Sequence, residues 1–126
     1  MKDIYKILKN INCNSNIINQ KEITHNILFN INNICNLNCT NCSLICGDRT
    51  PFSIEFEDFK LQIKKIADII PYIGKITLIG GEPMLHPDLL KMCEFIYNNI
   101  NCIEIDIMSN GILSNKITDK ELLQYK

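Results

Sequence analysis

The sequence lacks any long apolar run. No stretch approaches the ~18 apolar residues that a membrane span requires, and the N-terminal MKDIYKILKNIN has neither a sustained apolar core nor a small-residue cleavage site. Charge of one sign is missing too. Thirteen Lys and Arg stand against fourteen Asp and Glu, a formal net charge of -1, which excludes the basic stripe of a dedicated nucleic-acid binder. Tryptophan is absent and Arg49 is the only arginine. Ile (25) and Asn (17) supply a third of the chain instead, a bias that reads as AT-rich coding rather than as a functional signal. The 126 residues allow one globular domain, large enough to bury roughly 65–70% of its unfolded surface without disulfide or metal staples.

Cysteine is what the chain has in surplus. There are seven, with Cys35, Cys39 and Cys42 packed into eight residues. An odd number so clustered does not resemble a secreted disulfide framework. The expected compartment is therefore a reducing cytoplasm, where grouped thiols bind metal or do redox chemistry.

Residues 1–24 are polar and Asn-rich. Ile4, Ile7, Leu8 and Ile11 recur at helical spacing and allow one short amphipathic helix, so this stretch reads as an N-terminal leader without assigned function. Residues 25–126 read as one domain of three units, each a strand, a loop with unusual residues, and a helix. The first strand is Ile27–Asn32. A helix is expected from Ser53, as N-cap, to Ile70, with Phe56, Phe59, Ile63, Ile66 and Ile70 stepping by three and four and with Pro71 and Gly74 ending it. Lys75–Ile79 is the second strand, running into Gly80-Gly81-Glu82-Pro83. Pro87 opens a helix striped by Leu89, Cys93, Ile96 and Ile100. Cys102–Met108 is the third strand, ending at Ser109-Asn110-Gly111, and Thr118 is positioned to cap a last helical piece over Asp119–Gln124.

Strands alternating with helices imply an α/β fold with a parallel sheet and right-handed crossovers. Covered parallel strands are usually apolar on both faces. Here Ile27, Phe29 and Ile31 alternate with Leu28, Asn30 and Asn32, and Ile103, Ile105 and Ile107 alternate with Cys102, Glu104 and Asp106. A barrel segment around a polar cavity and a sheet with one solvated face both produce that pattern.

The spacing C-x3-C-x2-C directly after a strand lets three thiolates wrap one metal or cluster. Structural zinc sites close with four ligands, usually from two separated knuckles, and the second knuckle is missing, although Cys46 is available as a fourth thiolate. A [4Fe–4S] cube also takes thiolates, and three protein ligands leave one iron open to a small molecule. An open-iron cubane, a zinc site and unligated cysteines all stay open on spacing alone. At the next strand end, two glycines allow close backbone approach to a ligand, and a carboxylate or turned carbonyl beside them suits an ammonium group. Parallel neighbours place that loop next to the cysteines.

Cys35/Cys39/Cys42, Gly80-Gly81-Glu82-Pro83 and Ser109-Asn110-Gly111, each at a strand end and in this order, resemble the radical S-adenosylmethionine (radical SAM) superfamily over about residues 25–115. The last motif is similar to the Thr-Asn-Gly that often closes the family's third strand. Asn41 stands where members usually carry an aromatic or similar planar residue. The resemblance implies a [4Fe–4S] cluster held by Cys35, Cys39 and Cys42, with SAM chelating the fourth iron. Gly80, Gly81 and Glu82 would lie along the SAM ammonium, with Pro83 counted among the cofactor-binding residues, and Ser109 or Asn110 near its carboxylate or ribose. Asn30, Thr77, Glu104 and Asp106 would line the substrate cavity. It also implies reductive cleavage of SAM to a radical that abstracts hydrogen from a substrate the sequence does not identify, and an electron donor such as flavodoxin or ferredoxin.

A six-unit partial barrel needs roughly 190 residues. About 100 follow the leader, so the expectation is a partial (β/α) barrel of about three units, truncated after the third, with an exposed edge at its last strand. A partner chain completing the barrel follows as an expected association. The alternative is a non-catalytic iron–sulfur or zinc module, an inactive truncated product. Of the remaining residues, Cys46 is expected to be a loop cysteine without a role, Cys93 and Cys102 small buried hydrophobes, His86 a helix-entry residue, and Lys60, Lys64 and Lys65 a solvated helix face. Cys13 is assigned nothing.

Overall fold

The computed structural model describes residues 23–24, 26–46, 49–70 and 72–116. The expected leader helix and the Asp119–Gln124 piece lie outside the described residues. In chain order the elements are β1 (Ile23–Thr24), β2 (Ile27–Asn32), α1 (Phe56–Ile69), β3 (Tyr72–Gly80), α2 (Leu89–Asn99) and β4 (Cys102–Ile107), with single 3-10 turns at Pro83–Leu85 and Ser114–Lys116.

Among the described residues the strands pair in parallel, and β3 is central. β1 registers against Tyr72 and Ile73, β2 against Ile76–Gly80, and β4 against Ile73–Leu78. Because β2 and β4 both pair with Ile76, Thr77 and Leu78, they occupy opposite edges of β3. The β/α units thus form the open parallel α/β sheet that alternating strands and helices imply, consistent with the partial barrel expected from the resemblance. Pairing begins at Ile23, two residues ahead of the boundary drawn at residue 25.

Both helices cover one face. Phe29 and Ile31 of β2, Ile76 and Leu78 of β3, Phe59 and Ile63 of α1, and Met92, Cys93 and Ile96 of α2 form a single buried cluster. Edge-to-face ring pairs tie it together, Phe29 on Phe59 at 5.1 Å and Phe56 on Phe95 at 6.2 Å. The opposite face carries Leu28, Asn30, Lys75, Glu104 and Asp106. Lys75 Nζ sits between Glu104 and Asp106 at 3.7 and 3.8 Å.

Several boundaries differ from the periodicity. Ser53 is not the helix cap: it forms an antiparallel bridge with Asn32, and α1 begins at Phe56 behind Glu55, which makes no side-chain cap. Competition from the strand end claims the backbone that the cap would have used. Gly74 lies inside β3, which starts three residues earlier than expected. Pro87 stands in the turn ahead of α2, whose N-cap is Asp88. Ile103 is exposed, whereas Ile105 and Ile107 of the same strand pack against the buried cluster. Cys102 is half-buried, with its thiol donating to Glu104 O at 3.2 Å. The lysine face is less idle than a solvated stripe: Lys60 and Lys64 lie over the Phe56 and Phe95 rings at 5.1 and 5.5 Å.

Candidate cofactor site

The cysteine loop leaves the C-terminal end of β2 and returns before α1, and its neck is pinned by one asparagine. Asn33 N–H donates to Phe52 O at 3.0 Å. Its side-chain carbonyl accepts from Phe52 N–H at 2.6 Å, and its amide donates to Thr50 O at 2.8 Å. Ile54 N–H adds a bond to Ile31 O at 2.9 Å. Within the loop, turns join Cys42 N–H to Cys39 O and Ile45 N–H to Cys42 O, each at 3.2 Å. Ile45 has φ +51°, a left-handed conformation that is costly for a β-branched residue. That turn brings chain onto the Cys42 sulfur. The N–H groups of Cys46 first, then of Leu44, hold the Cys42 thiol below its usual range. Burial, and then a bond to Cys42, push the Cys46 thiol up. Their sulfurs are 3.9 Å apart.

Cys35 and Cys42 are half-buried and Cys39 is exposed. Among the described residues no three Cys, His or carboxylate side chains are grouped closely enough to hold a metal ion. The three cysteines therefore share one loop without their sulfurs being gathered into a ligand set.

Gly80-Gly81-Glu82-Pro83 abuts the start of that loop. Gly81 N–H is shared between Asn32 O at 3.0 Å and Asn32 Oδ1 at 3.1 Å, the Asn32 amide donates to Glu82 O at 3.2 Å, and Glu82 N–H donates to Ile34 O at 2.8 Å. A Cβ on Gly80 would collide with the Asn32 side chain and, at 2.7 Å, with its carbonyl oxygen; one on Gly81 would strike the Ile34 carbonyl. The glycines thus admit the protein's own backbone, and their absent side chains bring the β3 end flush against the residue before Cys35.

Glu82 is fully buried, and its carboxylate is engaged from three sides. Oε1 accepts from Met84 N–H at 2.9 Å and from the Ser109 hydroxyl at 2.9 Å, while Oε2 accepts from Asn110 N–H at 2.8 Å. The side chain expected along a ligand ammonium instead fastens the β3 end to the β4 end. Asn110 continues the chain of bonds, its amide donating to Asn36 Oδ1 at 2.8 Å and lying 3.9 Å from Cys35 Sγ. All three motifs meet around Cys35.

Pro83 is buried at the first position of the 3-10 turn. His86 is buried, with Nδ1 accepting from Asp88 N–H at 3.1 Å and Nε2 3.0 Å from Ile54 O. Since Nδ1 accepts, Nε2 carries the proton and donates. His86 therefore ties the helix entry to the return of the cysteine loop. Of the four polar residues expected to face a cavity, Asn30 is exposed and Glu104 and Asp106 are accessible, whereas Thr77 is covered and donates to Asn26 Oδ1 at 3.2 Å. Asn32 and Asn33 are the functional residues that sequence reasoning missed. Their signal was available, two amides at a strand end directly before a cysteine motif, but it was absorbed into the asparagine bias.

A family model described as the radical SAM superfamily matches residues 29–125. The chain belongs to the radical SAM superfamily. Among curated proteins it is 33% identical over 79 residues to a probable GTP 3′,8-cyclase of Methanothermobacter thermautotrophicus, covering 63% of this chain and 25% of that protein. It is 31% identical over 94 residues to the GTP 3′,8-cyclase of Haemophilus ducreyi, covering 73% and 27%. A 7,8-dihydro-6-hydroxymethylpterin dimethyltransferase of Methanocaldococcus jannaschii is 27% identical over 95 residues, covering 75% and 19%. The chain thus spans about a quarter of the length of the curated relatives it matches. Membership in this superfamily implies a [4Fe–4S] cluster and SAM as cofactors, and the superfamily generally requires an electron donor. Among the described residues no helix is long and apolar enough to cross a membrane.

Proposed function

We propose that this chain forms the cofactor-binding part of a radical SAM enzyme, with Cys35, Cys39 and Cys42 as ligands of a [4Fe–4S] cluster and the β3 and β4 ends facing SAM. One observation carries the reading, the convergence on Cys35: Ile34 O accepts from Glu82 N–H, and Asn110 approaches the Cys35 sulfur. The donor set fits the group, since thiolates are the ligands iron–sulfur clusters take and the Cys42 thiol is already biased towards thiolate. Bound there together, the cluster and SAM would supply the family's chemistry, one-electron reductive radical generation for hydrogen abstraction from a substrate.

The chain's own residues orient and enclose. Gly80, Gly81, Glu82 and Pro83 border the SAM ammonium. Because the Glu82 carboxylate is committed to Met84, Ser109 and Asn110, the acceptors offered there are main-chain carbonyls. Ser109 and Asn110 border the SAM carboxylate or ribose, and Asn30, Glu104 and Asp106 the substrate. A flavodoxin or ferredoxin is the electron donor. The cyclases among the relatives act by name on GTP, which makes GTP the first substrate to offer.

Anaerobic reconstitution tests the reading. About four iron and four sulfide per chain, with SAM changing the EPR signal of the reduced cluster, is the expected result. The short distance between Cys42 and Cys46 sulfurs favours a second reading, a non-catalytic four-thiolate metal module. Purification with zinc, and no iron uptake, would establish that alternative and remove the first.

A further inference from the structure

Asn110 is fixed at both ends before its amide nitrogen is used. Its main-chain N–H is held by Glu82 Oε2 at 2.8 Å, and its side-chain oxygen accepts from Ile112 N–H at 3.0 Å. That second bond determines how the amide is turned, since the reverse orientation would set a donor against a donor. Nδ2 consequently faces the cysteine loop, 2.8 Å from Asn36 Oδ1 and 3.9 Å from Cys35 Sγ. An amide nitrogen carries two hydrogens. One serves Asn36 and the other is directed to the sulfur. Leu37 N–H approaches the same sulfur at 3.4 Å, so Cys35 has two donors from two different strand-end loops.

The loop bearing Asn110 has little freedom to move away. The Ser109 hydroxyl is tied to Glu82 and accepts from Gly111 N–H at 3.0 Å, and Gly111 takes φ +79°, which only glycine adopts readily. The geometry points to Asn110 as a positioning residue for the iron–sulfur cluster, donating an N–H···S hydrogen bond to Cys35 that raises the cluster's reduction potential. The assignment rests on Cys35 being a cluster ligand, as proposed above. Reduction adds negative charge to the ligand sulfurs, and a donor stabilises the more negative state. Losing it makes the cluster harder to reduce.

Two variants of the full chain test this, reconstituted anaerobically and titrated by EPR without SAM, so that a contact between Asn110 and SAM does not enter. Asn110→Asp is isosteric and replaces the donor with negative charge. Asn110→Ser removes the donor without adding charge and keeps an oxygen for Ile112 N–H. Both are expected to load iron and sulfide as the unaltered chain does and to reduce at more negative potential, Asp further than Ser. For Ser the shift corresponds to about tenfold or less in the reduction equilibrium. Unchanged potentials, or a shift to more positive values, overturn the inference while leaving the cluster assignment standing. Loss of loading in both variants with an unchanged circular dichroism spectrum also overturns it, because a tuning bond shifts potential and does not gate occupancy. If the unaltered chain takes up no iron, the assignment of Cys35 falls and the inference falls with it.

Discussion

At Glu82 a buried side chain has both carboxylate oxygens engaged by three donors from its own turn and the β4 end, whereas 43 positions earlier Cys39 projects its thiol into solvent. The two lie on neighbouring strand-end loops and are built in opposite ways. The bracket around Glu82 is framework: its partners are fixed by the register of β3 and β4 and by glycines that admit the Asn32 and Ile34 backbones. The cysteine loop is anchored at its neck by Asn33 and touched near Cys35 by the Asn110 amide, and beyond that it leaves the Cys39 thiol exposed. If the cysteines hold the cluster as proposed, the division sets most of the stability on the Glu82 bracket and the ligands on the loop.

Separate substitutions should show that division. The largest effect is expected at the thiols: Cys35→Ala, Cys39→Ala and Cys42→Ala each abolish iron uptake on reconstitution, while Cys46→Ser retains it. Cys39→Ala should leave the urea midpoint of the cluster-free chain nearly unchanged. Alkylation of the cluster-free chain comes next. Cys93, whose thiol burial pushes up to about 11, should react with iodoacetamide at pH 7 more than about a hundredfold slower than Cys42, since the thiolate is the nucleophile. Mass spectrometry of timed digests reads the order, and Cys46 should trail Cys42 as well. Raising the pH should speed Cys42 at lower pH than Cys46.

Framework substitutions follow. Glu82→Ala strands three donors in a buried place and should cost about 2–4 kcal/mol in denaturant unfolding. Gly81→Ala forces a Cβ onto the Ile34 carbonyl and should cost about 1–3 kcal/mol, with iron uptake reduced because the loop neck is displaced. The smallest effect is expected on the open face. Lys75→Met removes the paired cation between Glu104 and Asp106, and because all three are accessible the loss should stay below about 1 kcal/mol. Equal stability losses for Cys39→Ala and Glu82→Ala would erase the distinction between framework and loop.

Much of the scaffold was legible in the residues. The alternation in Ile27–Asn32 placed β2 at its observed bounds, and the Gly80–Pro83 loop was expected beside the cysteine loop because parallel neighbours end together. Ser53 misled because a capping preference is local, whereas the bridge to Asn32 depends on where β2 ends. The partners of the Glu82 carboxylate were hidden for the same reason. A carboxylate beside two glycines looks like a ligand group until β4 supplies Ser109 and Asn110 to satisfy it. Asn32 and Asn33 were obscured by composition: with 17 asparagines, two that hold the site together look like the other fifteen. Only the partner 50 positions away distinguishes Asn32.

That separation bears on the order in which the site comes into being. The bonds joining the motifs span 27 positions from Glu82 to Ser109, 50 from Asn32 to Glu82 and 74 from Asn36 to Asn110. None is available to a short nascent segment, and contacts this distant in sequence are slow to close. A chain leaving the ribosome exposes Cys35, Cys39 and Cys42 well before Asn110 has been made. The three thiols thus pass through synthesis before the β4-end loop that meets Cys35 exists.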